Sequence, residues 1–145
     1  MSNIVDLMLK DHLRLLSLLT RLERTNEKDV NLKYNKFETF KWEVEKHFFL
    51  EEKTIFSKFS TKKEGVKIYN LYIELVKQHE KILNLLDEIK KQIMQGFEPD
   101  IIRIRDLLIN HQKFEEKLIY PKLDEELDEN EKIKILNRIE GIIQI

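Results

Sequence analysis

The chain has no cysteine. Disulfides, thiolate metal sites and cysteine nucleophiles are therefore all excluded. It has only 3 Gly and 2 Pro in 145 residues. So few backbone breakers in a chain rich in Lys, Glu, Leu and Ile argue for helices joined by short connections. Neither charge sign is in excess. The formal net charge of −1 gives no electrostatic case for nucleic acid or for an anionic membrane surface. No uncharged run is long enough to span a bilayer. Residues 1–10 lack a basic segment ahead of an apolar one, so no signal peptide is expected and a cytoplasmic location is. The length suits a single domain, 1–145, large enough to bury a core.

What the chain does have is apolar periodicity at steps of three and four. A first helix is expected from Ile4 to about Arg24, capped by Ser2 or Asn3, with Ile4, Met8, Leu15, Leu16, Leu19 and Leu22 on its stripe. His12 falls on the same stripe. The polar run Asn26 to Asp29 breaks the pattern. A second helix is expected from about Leu32 to Lys58, with Phe37, Phe40, Val44, His47, Glu51 and Ile55 on one face. After a break at Ser60 to Lys63, a third runs from about Glu64 to Gln95 and turns Tyr72, Leu75, Val76, His79, Ile82, Leu83 and Leu86 inward. Gly96 is placed to end it. Pro99 suits the first turn of a fourth helix, which runs from about Asp100 with Ile104, Leu108, His111, Glu115 and Leu118 on its inner face. Pro121 should kink or end that helix. From about Asn130 the tail is amphipathic again through Ile133, Leu136, Ile139 and Ile143. The pattern predicts an all-α protein: an antiparallel up-down-up-down four-helix bundle with a short C-terminal fifth helix.

The chain also repeats itself. Residues 10–19 align without gaps to residues 77–86 with five identities in ten, and residues 47–59 align to residues 111–123 with six in thirteen. The offsets are 67 and 64 residues. The two helical hairpins therefore read as copies, which predicts approximate two-fold symmetry in the bundle.

The repeat carries the chemistry. His47 and Glu51 stand four residues apart, as do His111 and Glu115, so each pair shares one helix face a turn apart. His12 and His79 occupy matching contexts on the other two helices. Counted from the expected turns at about 1.5 Å per residue, the four histidines share one layer to within roughly 5–8 Å. A lone histidine on an apolar stripe is ordinarily a half-buried helix residue. One on each of four stripes, at one level, in repeated surroundings, is not. Burying four imidazoles and two carboxylates without partners would cost on the order of several kcal/mol, a cost that metal ions remove. Imidazole with carboxylate suits iron, manganese or zinc. Six donor residues are too many for one tetrahedral zinc, and a bis-histidine haem would leave the glutamates idle. Two metals bridged by two carboxylates use all six: His12, His47, Glu51, His79, His111 and Glu115. Glu52 and Glu116 lie one position, about 100°, off the ligand face. They are expected in solvent or behind the ligands. Phe40, Phe48, Phe114 and Tyr72 are expected to be core.

One His on the first helix, His-x-x-x-Glu on the second, one His on the third and His-x-x-x-Glu on the fourth resembles the hemerythrin-like (HHE cation-binding) family. The stretch from Glu115 to Pro121 also resembles that family's fourth helix. The resemblance runs from His12 to Pro121. It implies a non-haem di-iron site with an oxo or hydroxo bridge that binds or reacts with dioxygen, peroxide or nitric oxide. By that match His12, His47, His79 and His111 are terminal ligands and Glu51 and Glu115 bridge, which leaves one open position on each iron. The chain departs from oxygen-carrying hemerythrins in two places. Their fifth histidine, four residues from that of the third helix, is here Leu75 or Leu83. Their fourth-helix carboxylate stands one residue later, at Glu116. These departures argue against simple oxygen carriage. They leave open both a redox enzyme and a non-enzymatic protein that binds, senses or stores oxygen or iron. The oligomeric state is not readable.

Overall fold

The structure, a computed structural model, describes residues 3–25 and 29–143. The described residues form helices and no strands. Helix α1 spans Asn3–Glu23. Ser2 and the side chain of Asn3, its expected caps, lie outside the described residues, as do residues 26–28 of the break that follows. Helix α2, Val30–Leu50, starts at Asp29, whose side chain accepts from the Leu32 amide at 2.9 Å. That bond satisfies one of the free N–H groups of the first turn.

Where the periodicity predicts α-helix to Lys58, the chain instead widens. A π-helical segment, Glu51–Ile55, follows α2 directly, and a short 3-10 turn, Ser57–Phe59, comes after it. Helix α3, Val66–Met94, ends in a Schellman arrangement. Gly96 takes a φ of 82°, its amide bonds to the Ile93 carbonyl at 3.0 Å, and the Phe97 amide bonds back to Gln92 at 2.8 Å. Such a φ costs a glycine nothing.

Helix α4, Ile101–Phe114, starts one residue after the expected Asp100, so Pro99 stands ahead of the cap and not in the first turn. Asp100 is its cap and accepts from the Arg103 amide at 3.1 Å. A second π segment, Glu115–Ile119, joins α4 to α5, Tyr120–Glu126. Pro121 therefore does not end the helix. It sits in the first turn after the wide segment, where a missing N–H is tolerated. The wide turn also shifts the face beyond it: Leu118, expected inside, is 49% exposed, and Ile119 is buried in its place. Both π segments begin at the second residue of the matched pairs, 64 residues apart.

Helices α1 to α4 close into an antiparallel bundle in which α1 packs on α2, α2 on α3, α3 on α4 and α4 on α1. Helix α6, Glu129–Ile143, packs on α1 and on the first π segment through Ile135 and Ile139. Ile133, expected on its apolar stripe, is exposed. The core is split in two. One apolar cluster includes Ile4, Met8, Leu50, Ile55, Leu75 and Leu123, the other Leu15, Leu19, Phe37, Val44, Leu86 and Leu108. On each of the four bundle helices the histidine falls between residues of the two clusters. Burying each large apolar side chain contributes about 1.5–3 kcal/mol, so apolar packing on both sides holds a polar layer in the middle. Among the described residues, no helix is long and apolar enough to cross a membrane.

Candidate metal centre

All six residues singled out above meet in that polar layer. His12, His47, His79 and His111 are at most 3% exposed, and Glu51 and Glu115 are fully buried. Two groups form: His12, His47, Glu51 and Glu115, and Glu51, His79, His111 and Glu115. Within each group the ligand atoms lie within 4.8 Å of one another, the arrangement that could hold a metal ion. The two groups share both carboxylates. Glu51 Oε1 lies 3.4 Å from His47 Nε2 and 3.2 Å from His79 Nε2. Glu115 Oε1 lies 3.2 Å from His12 Nε2 and 2.9 Å from His111 Nε2. Each carboxylate thus reaches one imidazole of each group.

The outward nitrogens are all engaged. His12 Nδ1 meets Glu116 at 3.0 Å, His47 Nδ1 meets Asp11 at 2.5 Å, His79 Nδ1 meets Glu52 at 2.7 Å and His111 Nδ1 meets Gln78 at 2.8 Å. Each partner presents an oxygen acceptor, so Nδ1–H donates and Nε2 is aimed inward. Hydrogen bonds of this kind fix the tautomer and ring orientation of metal-binding histidines. Glu52 and Glu116 thus stand behind the histidines His79 and His12, as their offset implies. The sequence reading missed Asp11 and Gln78. They precede His12 and His79 at matched positions of the repeat, and that shared polar character was the available signal.

The inner atoms are poorly served by the protein alone. His47 Nε2, His111 Nε2 and both carboxylate oxygens of Glu115 are buried with no hydrogen-bond partner. Each such group costs about 1–3 kcal/mol. Without metal the imidazoles divide the protons unevenly. Burial opposes charge on His47, but the Glu51 carboxylate beside it, with the hydrogen bond to Asp11, outweighs it and raises the pKa to about 9. Burial, helped by the other three histidines, lowers His111 to about 3 despite Glu51. Burial pushes the Glu51 carboxyl up, yet the charge of His47 beside it holds it well below the ordinary value. Four inward imidazole nitrogens and two buried carboxyl groups form a donor set that a cation at each group would satisfy.

Around this layer Phe48 stacks on the His79 ring with centroids 3.8 Å apart, and Tyr72 turns away to donate to the Glu52 carbonyl at 3.4 Å. One further residue enters the cluster that periodicity does not place there. Tyr120, 2% exposed, puts its hydroxyl 2.9 Å from His12 Nε2 and donates to Glu51 Oε2 at 3.1 Å. Burial, with the Glu51 charge beside it, holds the phenol well above its ordinary pKa. A surface groove of about 350 Å³ between α3 and α4 reaches His111 and Gln78.

Set against known proteins, residues 3–123 match the family model described as the Hemerythrin HHE cation binding domain. No curated protein and no solved structure matches the chain.

Proposed function

Because the chain belongs to the hemerythrin HHE cation-binding domain family, we propose that it is a non-haem di-iron protein that binds or reacts with dioxygen, peroxide or nitric oxide. In this reading His12 and His47 hold one iron, His79 and His111 the other, and Glu51 and Glu115 bridge them. The observation that carries it is the sharing of both carboxylates between two four-residue groups. One metal would leave two imidazoles idle, and the unpartnered inward atoms fall on one imidazole of each group, His47 and His111, and on the shared Glu115. An all nitrogen and oxygen donor set suits iron. When bound, two irons supply redox equivalents and open positions for a small molecule. The protein's own part is to hold the imidazoles by their Nδ1 partners and to keep the layer dry between two apolar clusters.

Mixing the reduced, iron-loaded chain with oxygen, peroxide or nitric oxide in a stopped-flow spectrometer tests the reading. Consumption of many equivalents per chain marks an enzyme. A single reversible spectral change marks a binding or sensing protein. Indifference to all three reagents would contradict the proposal.

The residues behind the ligands have their own expected effect. Asp11→Ala and Glu52→Ala should each keep both metals but weaken binding by about 10–100-fold, the usual result of removing a ligand's hydrogen-bond partner. Competition against a chelator of known affinity measures this. Unchanged affinity in both variants would mean that the Nδ1 contacts do not orient the ligands.

A further inference from the structure

The internal repeat matches Tyr120 with Phe56. Both are buried at the end of a π segment, and their rings stack with centroids 6.1 Å apart. Only one of them carries an oxygen, and it lies at the ligand cluster. Two donors bound to one ion at right angles, each about 2.0–2.2 Å from it, stand about 3 Å apart. Tyr120 Oη stands 2.9 Å from His12 Nε2 and 3.1 Å from Glu51 Oε2. That is the spacing of neighbouring donors on a shared ion, and His12 and Glu51 belong to the same four-residue group.

We propose that Tyr120 is a seventh metal ligand, bound through its phenolate oxygen to the iron held by His12 and His47. The inference rests on the di-iron reading. As the metal–oxygen bond forms, the phenol proton leaves to solvent and no electron moves. Phe56 supplies no matching donor to the His79–His111 iron. On the side of that pair lies instead the surface groove between α3 and α4, about 350 Å³, which reaches His111 and Gln78. Tyr120 therefore breaks the two-fold symmetry of the centre. It closes the open position on one iron and leaves the incoming molecule the other.

The experiment is spectroscopic. The full chain is loaded with iron, oxidised to the di-ferric state and examined by visible absorption and resonance Raman. A phenolate-to-iron(III) charge-transfer band is expected. Excitation into it should enhance phenolate ring modes that shift when the chain is made with ring-deuterated tyrosine. Tyr120→Phe should lose the band and keep two irons, whereas Tyr72→Phe should keep both. A two-iron chain without the band, or a band that survives in Tyr120→Phe, overturns this inference and leaves the di-iron reading standing. A chain that takes up no iron defeats the two together. Should Tyr120→Phe not fold, the band and its deuterium shift in the unaltered chain and in Tyr72→Phe decide the matter.

Discussion

Glu51→Ala is expected to strip the chain of most of its metal at both positions. The carboxylate is fully buried, reaches His47 and His79 on opposite sides and belongs to both four-residue groups. Losing a shared ligand should cost more than the about 10–100-fold that follows loss of an outer hydrogen-bond partner. The same change should weaken the metal-free fold. Glu51 is the principal charge that raises His47 to about 9, and removing one member of a buried ion pair costs about 3–5 kcal/mol. Glu52→Ala is the control one residue away. Its carboxylate faces His79 Nδ1 from outside the layer, so metal content should persist. Elemental analysis and denaturant unfolding of the two variants supply the measurements. Equal metal loss in both would mean that the ligand face has been mistaken.

Removing the metal from the unaltered chain should lower its melting temperature by on the order of 10 °C. A ligand that binds only the folded state, present at a thousand times its dissociation constant, adds about 4 kcal/mol. In a chain of this length each kcal/mol moves the midpoint by about 2–4 °C. The metal-free bundle must also leave inward atoms of His47, His111 and Glu115 buried without partners. It should nevertheless stay helical, because the apolar clusters on both sides of the polar layer do not depend on metal. Circular dichroism melts before and after chelation, with metal loss confirmed, give the test. An unchanged midpoint would point to an exposed, adventitious site.

The bundle and the six inward residues are legible in the sequence for one reason. Apolar residues recur at the helical period, and the four histidines and two glutamates fall on those same stripes. Residues that depend on a change of period are not legible. Five residues beyond Glu115, an ideal α-helix would carry Tyr120 about 140° away from the ligand face. The π segment Glu115–Ile119 absorbs that rotation and brings the hydroxyl to His12 and Glu51. The same widening exposes Leu118 and buries Ile119. A straight period has no means of anticipating it, although π turns recur at functional sites. Asp11 and Gln78 escape for a different reason. Their side chains act across to a neighbouring helix, and the spacing within one helix does not say which neighbour they meet.

The central claim is that two metals share this layer. Iron content of the chain reconstituted anaerobically with excess ferrous iron and then desalted, measured by elemental analysis against protein concentration, tests it most directly. Two irons per chain are expected, both lost in Glu51→Ala. A plateau at one iron per chain, or retention of two in Glu51→Ala, would contradict it.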